Sequence, residues 1–154
     1  MDISDLLVRD GIVLRHGASS KRQLLNMVAE AAAEGLGLDE AEVLEALLER
    51  EALGSTGLGS GVAAPHARVS GLQSVRGVFL RLETPVAYEA MDDRPVDLVF
   101  ALFAPPRAGA EHLRALAAVS RALRAPELRE KLRQAQTIDA VRALFVRDET
   151  ATAA

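Results

Sequence analysis

The sequence contains no cysteine, so it offers neither a disulfide framework nor a cysteine-ligated metal site. Metal ligation would fall to carboxylates and to the three histidines, His16, His66 and His112. No local spacing such as H-E-x-x-H relates these histidines. We therefore expect no metal and no other cofactor.

Long apolar runs are also missing. No stretch reaches the roughly 18 consecutive apolar residues that span a bilayer, and the N-terminal M-D-I-S-D-L-L lacks the charged and apolar regions of a signal peptide. The sequence therefore predicts no membrane insertion. The absence of thiols is compatible with a reducing compartment, and we expect a cytoplasmic protein.

Aromatic residues are few, and basic residues do not outnumber acidic ones. Aromatics make up only 3% of the chain, which argues against a stacking platform for single-stranded nucleic acid. The formal net charge of −4 argues against a general nucleic-acid binder, so no nucleic acid is expected as a partner. With 154 residues, of which 49% are hydrophobic, the chain suits one globular domain. We assign residues 1–147 to this domain and 148–154 to a disordered tail.

The first third of the chain predicts helices. A short helical turn is expected at 4–7, and a longer helix follows Ser19 or Ser20, with Gly35 as its C-terminal left-handed residue. Asp39 caps the next helix, with Glu42 three residues later as in a capping box. That helix runs up to the glycine-rich stretch, so Arg50 falls in its last turn.

The rest of the chain combines strand and helix patterns. Strands are predicted at 12–14, 61–64, 75–82 and 96–103, with a further candidate at 85–88. Three helices are predicted at about 110–123, 127–135 and 138–146, with Pro126 in a first turn and Thr137 as an N-cap. Central strands with helices on both sides in sequence indicate an α/β fold, a mixed β-sheet flanked by helices.

The most informative segment is R-E-A-L-G-S-T-G-L-G-S-G-V-A-A-P-H, residues 50–66. Its glycines allow the backbone amides to approach a ligand, and Ser55, Thr56 and Gly57 are candidate phosphate-binding residues. The Arg50 guanidinium suits a phosphate-like group, and the His66 imidazole is a nucleophile when neutral. Together these residues suggest phosphoryl transfer through a phosphohistidine.

The glycine-rich loop matches neither of the two common nucleotide-binding motifs. A Walker A loop requires a lysine after the glycines, but the lysines are Lys21 and Lys131. A dinucleotide fingerprint should follow a strand and open a helix, whereas this loop follows a helical segment and leads into V-A-A-P. The simplest alternative is an irregular turn beside a surface histidine. Arg50 alone would be read as a helix C-terminal charge.

The segment L-L-E-R-E-A-L-G-S-T-G-L-G-S-G-V-A-A-P-H-A-R resembles the signature of enzyme IIA domains of the bacterial phosphoenolpyruvate-dependent phosphotransferase system, in the fructose, mannitol and nitrogen-type group. The resemblance continues through G-V-F-L-R-L-E-T-P-V, R-P-V-D-L-V-F-A-L-F-A-P and E-H-L-R-A-L-A-A-V-S-R-A-L, and so covers nearly the whole chain. It implies the enzyme IIA fructose/mannitol-type fold. The wording of the motifs is most similar to the stand-alone nitrogen-regulatory branch.

The resemblance also implies roles for residues. It implies a phosphotransferase that carries a phosphoryl group on His66, received from an HPr-like phosphocarrier protein. His112, in the first turn of a predicted helix, would by itself be read as a half-exposed surface histidine. The resemblance instead implies a second active-site histidine that helps to hold the phosphoryl group. His16 belongs to no such set, and we interpret it as a surface residue.

Three functions are compatible with these residues. The first is a nitrogen-type regulatory enzyme IIA whose phosphorylation state controls its binding to regulatory target proteins. The second is a sugar-transport enzyme IIA that passes phosphate to a fructose/mannitol-type enzyme IIB, and the third is a non-catalytic interaction module. The intact set of Arg50, the loop, His66 and His112 argues against the third. An apolar rim is expected around His66, since a phosphohistidine must be shielded from water. The sequence does not determine the oligomeric state.

Overall fold

A computed structural model describes the backbone of residues 2–153 and the side chains of residues 2–146. The elements are, in chain order, α1 Ile3–Leu6, β1 Leu7–Arg15, α2 Lys21–Leu36, α3 Glu40–Ala52, β2 Gly57–Gly59, β3 Val62–Ala63, β4 His66–Arg68, β5 Arg76–Val86, β6 Val96–Ala104, α4 Ala110–Leu123, α5 Pro126–Gln134 and α6 Ile138–Ala153. The backbone of α6 thus runs through most of the tail predicted at 148–154, while the side chains there and residue 154 lie outside the described residues.

One mixed sheet forms the centre of the fold, in the order β1-β5-β6-β3-β2, with β4 also paired to β6. β1 is parallel to β5, β5 is antiparallel to β6, and β3 and β4 both run parallel to β6. The two short strands therefore share one edge of β6, first β3 and then β4. The chain between them, Ala64 and Pro65, interrupts the pairing at that edge.

Alternation along β5 and β6 divides the apolar side chains between two cores, because successive residues of a strand point to opposite faces. Leu80 of β5 and Phe103 of β6 pack with Leu24 of α2 and Leu47 of α3 on one face. On the other face, residues of the same strands pack with α1, α4, α5 and α6; they include Phe79, Leu98, Phe100 and Leu102. The predicted α/β fold, a sheet between two helical layers, is confirmed.

The helix caps show where local sequence was sufficient. Ser20 accepts a hydrogen bond from Gln23 N, and Thr137 accepts one from Ala140 N, as predicted. Pro126 is the first residue of α5, also as predicted.

Two cap predictions were wrong. Gly37, not Gly35, ends α2 in the left-handed conformation, with φ of 70°. Gly35 lies inside the helix, where a Cβ would come within 3.1 Å of a Val8 methyl carbon, so close packing on β1 accounts for it. Asp39 does cap α3, but Glu42 binds the backbone amide and hydroxyl of Ser70 instead of closing a capping box.

The strands differ more from the prediction. The strand expected at 12–14 extends over nine residues, and the single strand expected at 61–64 is replaced by three short strands around the glycine-rich loop. The candidate strand at 85–88 is in part the end of β5, which stops at Val86. Of the three short strands, β3 and β4 pair with the edge of β6, and β2 pairs with β3. Pairing therefore holds them in place, and their own sequence carries little periodicity.

Phe145 tests the docking of α6 on the sheet. Its ring is fully buried, with its centroid 5.1 Å from that of Phe79 and 5.5 Å from that of Phe100. Phe145→Ala should lower the free energy of unfolding by about 3–5 kcal/mol, because it leaves a cavity among these rings. Urea denaturation measures the loss. The neighbouring Val146→Ala, at a side chain that is 50% exposed, should cost no more than about 1 kcal/mol; equal losses would contradict this packing.

Candidate active site

The interruption of strand pairing between β3 and β4 determines the position of His66. The amide of Leu102 on β6 donates to the carbonyl of Pro65, and the amide of Ala64 turns away to donate to Thr56. Proline has no N–H to donate, so it fits a position where the pairing is broken. The chain then rejoins β6 with His66 opposite Leu102. His66 thus starts a strand on a buried sheet, with its half-buried side chain facing a cavity.

Both ring nitrogens of His66 have partners. Nδ1 lies 3.0 Å from the carbonyl oxygen of Ala64, and Arg50 Nε lies 3.2 Å from Nε2 and donates to it. A carbonyl oxygen only accepts and a guanidinium N–H only donates, so the proton must be on Nδ1. The ring is therefore the neutral tautomer with its Nε2 lone pair directed toward Arg50 and the cavity.

Arg50 lies in the last turn of α3, as predicted. Its Nη1 donates to the carbonyl of Gly54 at 2.9 Å, beyond the end of the helix. This contact is the helix-end role that an arginine commonly has there. The same guanidinium reaches His66, so the simpler interpretation describes only one of its two contacts.

His112 lies in the first turn of α4, also as predicted, but it is only 5% exposed and not a surface residue. Its ring meets that of His66 edge to face, with 5.4 Å between the centroids and 79° between the planes. Its Nε2 is buried and has no hydrogen-bond partner among the described residues. Because such groups are normally satisfied, the arrangement leaves a polar position for a bound group.

Burial lowers the pKa of both histidines. For His66, desolvation is the largest cause; the Ala64 hydrogen bond opposes it, the positive charge of Arg50 lowers the pKa further, and the Glu51 carboxylate raises it. For His112, desolvation again comes first, followed by the charges of His66 and Arg68. Both rings are therefore neutral at pH 7, the state in which an imidazole nitrogen can act as a nucleophile.

Arg50, His66 and His112 line a cavity of about 430 Å³ between α3, β4 and α4. The remaining lining residues are Ala46, Glu49, Leu53, Ala67, Arg68, Leu113 and Leu116. Leu53 is 85% exposed and Leu113 is 70% exposed, so apolar side chains stand at the mouth. The structure thus has the apolar rim that was expected around His66.

The loop residues are placed differently. Ser55, Thr56 and Gly57 do not line this cavity. The Ser55 hydroxyl donates to the carbonyl of Tyr88 and accepts from the Gly57 amide, while the Thr56 amide and hydroxyl both donate to Glu51. The phosphate-binding role predicted for these three residues stays a prediction, and their polar groups already have partners within the protein.

Other residues were missed or set aside by the sequence analysis. Arg68 lies two positions after His66, and alternation along a strand could have placed it near the site. Glu51 and Tyr88 gave no local signal, since their contacts depend on the tertiary fold. His16 is exposed, as predicted, and lies 2.8 Å from a Glu83 oxygen.

The described part of the chain lacks both a metal-binding cluster and a membrane-spanning helix. Within it, no three histidine, aspartate or glutamate side chains are grouped so that they could hold a metal ion. None of its helices has the length and apolar character needed to cross a membrane.

Comparison with known proteins identifies the class. A model of the family described as "Phosphoenolpyruvate-dependent sugar phosphotransferase system, EIIA 2" matches residues 5–147. The chain therefore belongs to the EIIA 2 family of this phosphotransferase system, as the sequence motifs indicated.

Within the family, the similarity is to nitrogen regulatory proteins. A nitrogen regulatory protein of Bradyrhizobium diazoefficiens is 46% identical over 141 residues, 92% of each chain. The crystal structure of nitrogen regulatory protein IIA-Ntr from Neisseria meningitidis superposes with a TM-score of 0.85 at 37% identity, covering 93% of this chain and 98% of that one. A fructose-specific EIIA component of Haloferax volcanii is 33% identical over 137 residues, 88% of this chain and 89% of its own length.

The ionisation of His66 can be measured without any partner. A ¹⁵N-detected NMR titration should show the proton on Nδ1 at neutral pH and a pKa below 6.5, so that the neutral ring persists as the pH falls through 6.5 and is lost only below it. Arg50→Gln should raise this pKa, because it removes a positive charge beside Nε2. Arg121→Gln removes the same charge from an exposed position on α4 and should leave it unchanged. A pKa that does not respond to Arg50→Gln would contradict the geometry.

Proposed function

We propose that this protein is a phosphocarrier that accepts a phosphoryl group on Nε2 of His66 from an HPr-like phosphocarrier protein, and that it acts as a nitrogen-type regulatory enzyme IIA. One observation carries the proposal. The Nε2 lone pair of a neutral, half-buried imidazole faces a cavity that also contains a guanidinium and the Nε2 of a second histidine, which has no hydrogen-bond partner among the described residues.

The transfer is an in-line exchange between two ring nitrogens. The His66 Nε2 lone pair forms a bond to phosphorus, and the bond from phosphorus to the donor's imidazole nitrogen breaks with its electron pair staying on that nitrogen. His66 keeps its Nδ1 proton throughout. Positive charge grows on the His66 ring as the bond forms, and the Ala64 carbonyl oxygen, 3.0 Å from Nδ1, stabilises it.

Arg50 and His112 stabilise the phosphoryl oxygens. Arg50 Nε donates to the Nε2 lone pair of His66 before transfer. This hydrogen bond breaks as the bond from Nε2 to phosphorus forms, and the N–H groups of Arg50 then donate to the oxygens of the attached phosphoryl group. His112 Nε2 has no hydrogen-bond partner in the described part of the chain, and it donates to a phosphoryl oxygen when its tautomer carries the proton there. Ser55, Thr56 and Gly57 are left out of these contacts, because their groups bind Glu51, Tyr88 and each other.

The exposed rim serves the encounter with a donor protein. Leu53 and Leu113 stand at the mouth of the cavity, and large exposed apolar side chains around a polar centre are typical of protein interaction sites. When a partner covers them, water is excluded from the reacting group, which limits hydrolysis of the phosphohistidine.

The regulatory branch is favoured over sugar transport by the degree of similarity. The nitrogen regulatory relative is 46% identical, compared with 33% for the fructose-specific component. On this proposal the recipient of the signal is a regulatory target protein, recognised according to the phosphorylation state of His66. The second candidate, transfer to a fructose/mannitol-type enzyme IIB, uses the same site.

The first test is the intact mass after incubation with phosphoenolpyruvate, an enzyme I-type kinase and an HPr-type carrier. Wild type should gain one acid-labile phosphate and His66→Ala none, because the nucleophile is gone. His112→Ala should accept phosphate more slowly or lose it faster, and Arg50→Ala should weaken transfer by at most about 2–4 kcal/mol, the range for one charge-stabilising donor.

His16→Ala is the matched control, since it removes an exposed histidine outside the cavity and should leave acceptance intact. Full acceptance by His66→Ala would overturn the assignment of the nucleophile. No phosphate on wild type, beside an active control acceptor, would favour a non-catalytic interaction module.

A second experiment separates the two phosphocarrier roles. The phosphorylated protein is mixed with a fructose-type enzyme IIB and the loss of phosphate from His66 is followed by mass. We expect the phosphate to stay on this protein over the time in which a fructose-specific enzyme IIA completes its transfer. Transfer at the rate of that control would instead support the sugar-transport role.

A further inference from the structure

A buried charged cluster lies beneath the glycine-rich loop and outside the cavity. The Glu51 side chain is only 6% exposed, and its Oε2 lies 2.9 Å from Nζ of Lys21. Oε1 accepts from the hydroxyls of Tyr88 and Thr56. The Lys21 ammonium also lies 4.4 Å from the ring centroid of Tyr88, which is fully buried. These four residues are here called the Glu51 cluster.

The cluster is connected to His66 by a continuous path of hydrogen bonds. The Thr56 amide donates to Glu51 at 3.2 Å, and the Thr56 carbonyl accepts from the Ala64 amide at 3.0 Å. The Ala64 carbonyl then accepts from Nδ1 of His66. Arg50, next to Glu51 in α3, closes the circuit by donating to Nε2 of His66. Both ring nitrogens of His66 are thus connected by hydrogen bonds to the C-terminal end of α3.

We propose that Glu51 is a positioning residue, which fixes the tautomer and orientation of His66 by anchoring Thr56, and through it Ala64, to the end of α3. The proposal rests on the proposed function of His66 and adds residues that line no part of the cavity. Lys21 pairs with the Glu51 carboxylate and the Tyr88 hydroxyl donates to it, so these two residues fix its position.

The backbone of the loop explains why an anchor is needed. Gly54 and Gly59 adopt φ of 150° and 90°, a region that other residues rarely enter. Such a segment gives up much conformational freedom on folding, so its position is weakly determined by its own backbone. Two hydrogen bonds from Thr56 to one carboxylate fix the middle of the loop to α3, where Arg50 is also attached.

A purely structural role is the competing explanation. Burying an ion pair seldom adds stability, because desolvation offsets the attraction, but removing one partner leaves a costly unpaired charge. Loss of stability in a Glu51 variant would therefore not separate the two explanations. The tautomer of His66 does separate them, since a structural role leaves the tautomer unchanged in a folded variant.

The experiment compares Glu51→Gln with Glu45→Gln, which removes the same charge from an exposed position on α3. In wild type the two His66 ring nitrogens should give the separate ¹⁵N shifts of a single tautomer. In Glu51→Gln the shifts should move toward each other as both tautomers become populated, and the pKa of His66 should fall because a nearby negative charge is lost. Phosphate acceptance from the HPr-type carrier should slow about 10- to 100-fold, the cost of a misplaced reacting group. Glu45→Gln should match wild type in the ¹⁵N shifts of His66, in its pKa and in the rate of phosphate acceptance.

Tyr88→Phe provides a second variant if Glu51→Gln does not fold. It keeps the buried ring and removes only the hydroxyl that donates to Glu51, so it should shift the His66 signals in the same direction but less. Unchanged His66 signals and rate in a folded variant, with only the urea midpoint lowered, would overturn the proposal.

The ring measurements need no phosphate donor, so they remain decisive if wild type fails to accept phosphate. In that case the proposed function fails, while a changed tautomer in Glu51→Gln still supports positioning and an unchanged one still rejects it.

Discussion

The hydrogen bond from Nδ1 of His66 to the carbonyl of Ala64 determines which ring nitrogen is free to react. A histidine in solution exchanges its proton between two nitrogens, and only the unprotonated one has a lone pair to offer. Here the choice is made by a backbone oxygen whose position depends on the break between β3 and β4. The geometry on which the proposed transfer depends is thus a property of the sheet edge, and the side chains of Arg50 and His112 lie around a nitrogen whose lone pair that edge has already determined.

The rest of the fold holds that edge in place. β6 is buried along its length and carries β4 on the side where His66 begins. α3 packs on one face of the sheet and α4 on the other. Arg50 and His112 therefore reach His66 from opposite sides of the sheet, and each comes from a helix end: the last turn of α3 and the first turn of α4. Close packing of both layers limits how far these ends can shift.

Sequence alone predicted the layers, the helices and three of the site residues, for physical reasons that differ. Helix periodicity and caps are local, so Ser20 and Thr137 were found at their caps. His66 and Arg50 were proposed from the chemistry of the glycine-rich segment, and His112 only through the resemblance to the enzyme IIA signature. Of the short strands, β3 lies within the strand predicted at 61–64, whereas β2 and β4 were not predicted, because pairing with a neighbouring strand and not their own pattern determines them. The contacts of Thr56 with Glu51 could not be predicted, because these two residues meet only when the loop has folded back on α3.

Electrostatics then explain why the phosphorylated state suits this site. In the described structure Arg50 donates to a neutral nitrogen and to a backbone carbonyl and pairs with no carboxylate, and His112 Nε2 has no hydrogen-bond partner. Charge-assisted hydrogen bonds to an anion are stronger than bonds to neutral acceptors. A phosphoryl group on His66 would give both residues such a partner and would place negative charge between Leu53 and Leu113. The same surface would then change from cationic and apolar to anionic and apolar. A target protein with charge complementary to one of these states can distinguish them without any change in the fold.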